Sequence, residues 1–476
     1  MNSQRLRPPT LSRREWLRRS AGGLGSVALS SLLTQWASAA PDAPGALADP
    51  LAPRAPHFAP RAKRVILLYM TGGASHVDSF DYKPKLFADH GKTLTIDNWQ
   101  GNRGEFKRFL KRPDWEFHPG GTSGIPVSDL FPHTRAIVDD LCLINSMESD
   151  HTNHYEATLE IHTGSFTFAR PSLGAWVSYG LGTENQNLPS FLAIAPRAPY
   201  AGTQTWGADF LPGCHQGTHV VPGPTPIANI TPRVAESRLQ RLELERLAHV
   251  NRQHAATREL DAALEARIKS FETAYGMQHD APEAFDLTRE SAETHQLYGL
   301  EPGSTQGFAW QCLVARRLAE RGVRFIELID TGSSNNWDSH GNMQDHVALA
   351  KNVDQAMAAL VMDLKRRGML AETLVVWTTE FGRTPYHEQA THPGREHHHQ
   401  VFSSWLAGGG VKPGYVHGAS DEYGIAVADK RLHVHDFHAT ILHLLGLDHE
   451  RLTYRHSGRD YRLTDVAGRV AHDMLA

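Results

Sequence analysis

Cysteine is scarce in this chain. Cys142, Cys214 and Cys312 are the only three in 476 residues. They are too few and too widely spaced for a disulfide framework or a Cys-type zinc site, and leave open one disulfide or buried free thiols. An excess of charge of one sign is also missing. Lys and Arg number 48 against 52 Asp and Glu, for a net charge of −4, which gives no footprint for nucleic acid. The apolar stretch from Ala21 to Leu33 is too short, and too rich in Gly and Ser, to span about 30 Å of hydrocarbon. No internal repeat or long low-complexity tract interrupts the chain. Histidine is the abundant residue: 29 of them, against 10 Trp and 12 Tyr, enough to make a metal site worth seeking.

The first forty residues read as a removable signal. Arg5, Arg7, Arg13, Arg14, Arg18 and Arg19 form a basic region, Ala21–Leu33 an apolar one, and Ala37-Ser38-Ala39 a small-residue cleavage pattern. Ser12-Arg13-Arg14-Glu15-Trp16-Leu17 points to the twin-arginine route, and so to a periplasmic or extracellular protein with no stable membrane anchor after cleavage. Residues 41–62, rich in Pro and Ala, read as a linker, and 63–476 as the working domain.

In that domain Val65–Met70, Phe191–Ile194, Val323–Ile329 and Leu374–Thr378 are continuous apolar runs of strand length. Helical patterns at Ala309–Arg321 and Val347–Arg367 precede the last two and end in Arg-Gly. Alternation of this kind predicts an α/β fold with a doubly wound, mainly parallel sheet and helices on both faces. A charged, helix-rich block at about 230–300 reads as a helical insertion. His435, His438 and His443 fall on a C-terminal helix and read as structural.

Ligands of open α/β sheets bind beyond the carboxyl ends of the strands. The residues following the predicted strands are Asp78 and Asp81, then Asp338 and His340, then Glu380, with His397 in the next loop. That mix of carboxylate and imidazole suits a divalent ion, zinc or manganese before calcium. The predicted ligands are Asp78, Asp338, His340, Glu380 and His397. Each has a plainer role open to it: Asp78 or Asp81 as a cap, Asp338 with His340 as a hydrogen-bonded pair, and Glu380 with Arg383 as an ion pair. Asp150-His151-Thr152-Asn153-His154 enters a helix whose N-terminus suits an anionic group. Its polar residues serve equally well as a plain N-cap.

These motifs carry a resemblance. Asn153-His154-Tyr155 with Thr163-Gly164 resembles the nucleophile helix of nucleotide pyrophosphatases and sulfatases in the alkaline phosphatase superfamily. Asp338-Ser339-His340 resembles their metal-bound Asp and His, and Glu380-Phe381-Gly382 stands where they have Asp-His-Gly. The stretch Asp436–Leu447 is similar to the closing helix of sulfatases. Over nearly the whole mature chain, including Gly72–Pro84, Cys312–Phe325, Thr373–Pro385 and Ala407–Gly418, the sequence resembles a family of twin-arginine-exported, sulfatase-like bacterial proteins carrying a domain of unknown function. The resemblance implies an alkaline-phosphatase-like fold and a metal-dependent hydrolase of phosphate or sulfate esters, acting on an anionic ester or a sulfated polysaccharide. Thr152, Asn153 and His154 would be its catalytic residues. The alternative is a non-catalytic binding or scaffold protein on the same fold, with an exported protein as partner. Departures are specific. Asp150 occupies the nucleophile position, Phe381 replaces a metal-binding His, and no Cys-x-Pro-Ser-Arg sequence is present. One metal, with water or a displaced Thr152 as nucleophile, fits this pattern better than a two-zinc site.

Overall fold

Arg64–Met70 (β1) is apolar at nearly every position because both of its faces are covered. The computed structural model describes residues 49–99, 102–231, 237–256 and 262–476; the expected signal, residues 1–40, lies outside them. β1 sits inside a nine-stranded sheet with Leu141–Glu148 (β2), Phe191–Ile194 (β3), Thr218–Val220 (β4), Phe325–Ile329 (β5), Thr373–Thr379 (β6), Phe402–Ala407 (β7), Tyr415–His417 (β8) and Leu432–His433 (β9). The order is β8-β2-β7-β6-β1-β5-β3-β4, with β9 also paired to β2. β7 alone runs against the rest.

The helices that cover the sheet are His154–Thr163 (α1), Leu173–Leu181 (α2), Phe308–Glu320 (α5), Asp345–Arg366 (α6) and Val434–Leu444 (α7). Side chains of β1 alternate between two cores, as the two-residue strand period requires. Ile66, Leu68 and Met70 pack with Leu313 of α5 and Val353 and Leu360 of α6. Val65, Leu67 and Tyr69 pack on the other face with Trp176 of α2 and Ile441 of α7. The predicted doubly wound, mainly parallel α/β sheet is present, with one antiparallel strand that the apolar runs do not announce.

The insertion is helical as expected: Ser237–Ala256 (α3) and Ala262–Phe285 (α4). Arg317 of α5 ties α4 down by donating to the carbonyls of Ala284 at 3.0 Å and Glu283 at 2.6 Å, satisfying acceptors that a helix C-terminus leaves open. The expected linker differs from expectation where it is described. Leu51 is buried, and main-chain N–H groups of Arg54, His57 and Ala62 donate to the carbonyls of Leu181, Gly446 and Leu444. Residues 49–62 are therefore bound along the domain, because Pro and Ala at spaced positions leave enough N–H groups free to pair. The three cysteines are free thiols, with Cys142 and Cys312 buried. Among the described residues no helix is long and apolar enough to cross a membrane.

The parallel register brings the strand ends level. Met70 of β1 lies beside Thr379 of β6, and Tyr69 beside Ile329 of β5. Glu380, the segment through Asp338, and Gly72 thus emerge along one edge, where the site is built.

Candidate metal centre

Backbone close approach fixes the floor of this edge. Gly72 has φ +108°, and a Cβ there would come within 2.8 Å of the Asp338 nitrogen; only glycine fits. Gly394 passes so near the His340 carbonyl that a Cβ would lie 1.6 Å from its oxygen. These contacts press the Asp338–His340 turn against β1 and hold the His397 loop over it. From the other side comes α1, entered through Asn153, whose side chain accepts the Tyr155 N–H at 3.0 Å. His154, the first residue of α1, points inward and is buried.

Three imidazoles meet one carboxylate. His340 Nε2 lies 3.0 Å and His397 Nε2 3.2 Å from Asp338 Oδ1, and His154 Nε2 lies 3.2 Å from Asp338 Oδ2. The Nε2 atoms of His340 and His397 are 2.9 Å apart. Ligand atoms of His154, Asp338 and His397 all lie within 4.8 Å of one another, the spacing of a metal-ligating group. Neighbouring ligands around a four-coordinate zinc are about 3.3 Å apart when its bonds are about 2.0–2.1 Å.

The far side of each ring decides which nitrogen holds the proton. His397 Nδ1 is 2.7 Å from the Thr152 carbonyl, His340 Nδ1 2.9 Å from Glu396, and His154 Nδ1 2.7 Å from Glu380. Carbonyls and carboxylates accept, so each Nδ1 donates, and in a neutral ring Nε2 keeps its lone pair. His154 Nε2 is buried and makes no hydrogen bond despite its nearness to Asp338. With Nδ1 committed to donating, Nε2 is in each ring the nitrogen that faces Asp338 and becomes a lone-pair donor once its proton leaves, an arrangement typical of metal-binding histidines. Arg383 supplies part of the positive charge, with Nη2 2.6 Å from Asp338 Oδ1.

Electrostatics follow from these contacts. Burial raises the Asp338 carboxyl, but the imidazoles of His154, His340 and His397 beside it and the charge of Arg383 outweigh it and hold the group far below the carboxylate range. Bonds to Asp338 and Glu396 push the His340 imidazole up to about 9. Burial instead lowers His397 to about 4. For His154, burial lowers the pKa, but the neighbouring carboxylates of Asp338 and Glu380 more than offset it, and the net shift is upward. A divalent ion bound here would compete with these protons, and its uptake would release them.

Of the five predicted ligands, Asp338, His340 and His397 come together. Glu380 reaches the cluster only through His154. Its Oε1 accepts from Gly72 N–H and His154 Nδ1, and its Oε2 from Tyr69 at 2.9 Å and Thr379 at 3.2 Å. With four donors its oxygens are committed, and it orients His154 in the way a carboxylate orients a metal-binding histidine. Asp78 does not join them. It is buried in an ion pair with Arg395 (2.7 and 3.2 Å) and accepts from Ser75 at 2.5 Å. Asp81 pairs with Lys83 at 2.9 Å. Thr152 contributes its carbonyl to His397, and Asn153 its side chain to the helix cap, which is the plainer reading of that residue. Phe381 forms an apolar wall against His154 and His397, at 4.9 and 4.7 Å between ring centres.

Sequence reasoning missed Glu396, Arg383 and Tyr200 as parts of this site. Tyr200 stacks on His154 at 4.2 Å, with its hydroxyl accepting from Asn336 at 2.9 Å. Its place just beyond β3 was the available signal.

A second cluster flanks α1. Asp150, Glu160 and His433 also bring ligand-type atoms within 4.8 Å. His433 caps α7, its Nδ1 accepting the His435 N–H at 3.2 Å, and its Nε2 lies 3.3 Å from Asp150 and 3.6 Å from Glu160. Asp150 therefore makes its side-chain contact here and not with Asp338. His435 and His438 hold α7 to the end of α1 through the carbonyls of Gly164 and Ile161, the structural role expected of them.

Comparisons place the chain among known proteins. It is similar in structure to the PsFucS1 sulfatase of a Pseudoalteromonas species, at 12% identity over 82% of this chain and 68% of that one, with a TM-score of 0.34. The lipoteichoic acid synthase LtaP of Listeria monocytogenes matches at 8% identity over 85% and 75%, with a TM-score of 0.34. An alkaline phosphatase from the Antarctic bacterium TAB5 matches at 11% identity over 73% and 92%, with a TM-score of 0.28. No curated protein matches the sequence. The chain belongs to the family of proteins of unknown function DUF1501, whose model matches residues 62–475.

Proposed function

We propose that this protein is an exported, metal-dependent hydrolase of phosphate or sulfate esters or a related anionic substrate. One observation carries the reading: His154, His340 and His397 each spend Nδ1–H on an outside acceptor and turn Nε2 toward Asp338. The donor set fits a divalent ion, held by Asp338, His397 and His154 or His340. Imidazole nitrogens with a single carboxylate favour zinc or manganese over calcium. Such an ion supplies Lewis acidity toward an ester oxygen and toward water.

The chain's own groups do the rest. Glu380 and Glu396 fix the rings of His154 and His340. Arg383, fully buried, holds Asp338 in place and keeps positive charge beside it. The N-terminus of α1 offers a positive dipole end to developing anionic charge, although the Asn153 side chain is already engaged there. Tyr200 and Phe381 wall the cluster and limit water. Thr152 is the candidate hydroxyl nucleophile, with a water molecule as its rival.

A second reading, a binding protein without catalysis, is favoured by one contact: Asp150, at the position of the superfamily nucleophile, is turned to His433 and Glu160. Screening against phosphate and sulfate esters separates the two. The hydrolase reading predicts turnover that chelation removes, zinc or manganese restores, and Asp338→Asn lacks. Turnover indifferent to chelation, or none with metal-loaded protein on any ester class, removes it. Export rests on the paired Arg13 and Arg14. Replacing both with Lys is expected to retain the protein in the cytoplasm, and undiminished export would contradict that route.

A further inference from the structure

A small cavity of about 180 Å³ lies between α1, the loop 164–170 and α7, bordered by Asp150, Glu160, Phe166, Phe168, Arg170 and His435. Glu160 is its unusual member. Its side chain is 1% exposed, its Oε2 accepts the Asp150 N–H at 3.0 Å, and its Oε1 has no hydrogen-bond partner. A buried carboxylate oxygen left unpaired is costly. Burial and the neighbouring Asp150 push this carboxyl up to about 8, the response of an acid short of a positive partner.

The nearby cations do not fill that need. Arg170 is directed to Asp465 at 3.1 Å and lies over the Tyr461 ring. His433 is shared, 3.3 Å from Asp150 and 3.6 Å from Glu160 Oε1. A metal ion is disfavoured by the tautomer. His433 Nδ1 accepts a main-chain N–H, so Nε2 carries the proton and has no lone pair to give. An anion is disfavoured by the two carboxylates. The rim adds a different chemistry: Phe166 stacks on His151 at 5.8 Å, and Phe168 is 66% exposed. A carboxylate pair beside aromatic faces is the donor set that recognises an organic ammonium.

We propose that this cavity binds a small organic ammonium group, with the Glu160 carboxylate as its ion-pair partner, Asp150 as a second acceptor and the Phe166 and Phe168 rings against its carbon substituents. The proposal is independent of the metal reading, since no residue of the Asp338 cluster takes part.

Calorimetric titration of the full mature chain with ethylammonium chloride, at ionic strength matched by sodium chloride, tests it. The expected result is saturable binding with a rise in Tm, weakened about tenfold or more by Glu160→Gln. Phe168→Ala changes an exposed side chain and is expected to weaken binding by about two- to fivefold, so the test survives if the Glu160 variant fails to fold. Asp338→Asn is expected to bind ethylammonium as the parent does. No saturable binding to the parent chain overturns the proposal. So does binding unchanged in both Glu160→Gln and Phe168→Ala. Zinc uptake by Asp338→Asn that disappears on adding Glu160→Gln would identify the cluster as a metal site and overturn it equally.

Discussion

Two histidine–carboxylate clusters flank the same helix, and their compositions look alike. Asp338 with His154, His340 and His397 stands at one, and Asp150 and Glu160 with His433 at the other. What separates them is the outer nitrogen of each ring. In the first cluster Nδ1 donates to Thr152, Glu396 or Glu380, so the inward Nε2 is the nitrogen that can give a lone pair to a cation once deprotonated. In the second Nδ1 accepts from the main chain of α7, so a proton points inward. Proximity of ligand-type residues is therefore a weak criterion, and the bond on the far side of the ring is the stronger one.

The sharpest way to break this comparison is to remove one ligand from each cluster. Asp338→Asn and His397→Ala are expected to abolish stoichiometric zinc binding, whereas His433→Ala leaves it intact, as read by elemental analysis of dialysed protein. Loss of zinc in His433→Ala alone would invert the assignment. A second contrast sets Asp338 against Asp78, both at strand ends. Asp78→Ala leaves the buried Arg395 guanidinium without its partner and is expected to cost about 3–5 kcal/mol in urea unfolding, while the folded fraction keeps its zinc.

Smaller effects test the orienting carboxylates. Glu380→Gln is expected to weaken zinc affinity by about 10–100-fold without removing a ligand. A complete loss would instead make Glu380 a ligand, as the sequence pattern suggested. A last contrast concerns pH. Glu160 titrates near 8 in the folded chain against an ordinary value of 4.5. The folded state thus binds this proton more tightly than the unfolded state. Its contribution is complete below about 4.5 and is lost as pH rises through about 8. Glu160→Gln is expected to flatten the stability profile across that window in denaturation curves collected at several pH values.

Much of this architecture was legible in the chain. β1, β3, β5 and β6 are buried on both faces, so their apolar runs stand out, and the strand-end rule led to Asp338, His340 and His397. β7 was hidden because its direction depends on pairing with β2 and β6, which no local pattern encodes. Asp78 and Asp338 could not be told apart in sequence, since Arg395, His154 and His397 arrive from segments distant in the chain. Glu380 was read as a ligand because its place at the end of β6 is right. Only the four donors around it show that its oxygens are committed. His154 gains from the same contact, because Glu380 turns its Nε2 toward Asp338. The tautomers that distinguish the two clusters depend on tertiary acceptors and caps, so they lay beyond any reading of spacing.

Anomalous diffraction from crystals of the zinc-loaded protein tests the central claim most directly. The account predicts a peak bounded by Asp338, His397 and at least one of His154 and His340, with none at Asp150, Glu160 and His433. A peak at the second cluster, or none at the first in protein that carries stoichiometric zinc, would contradict it.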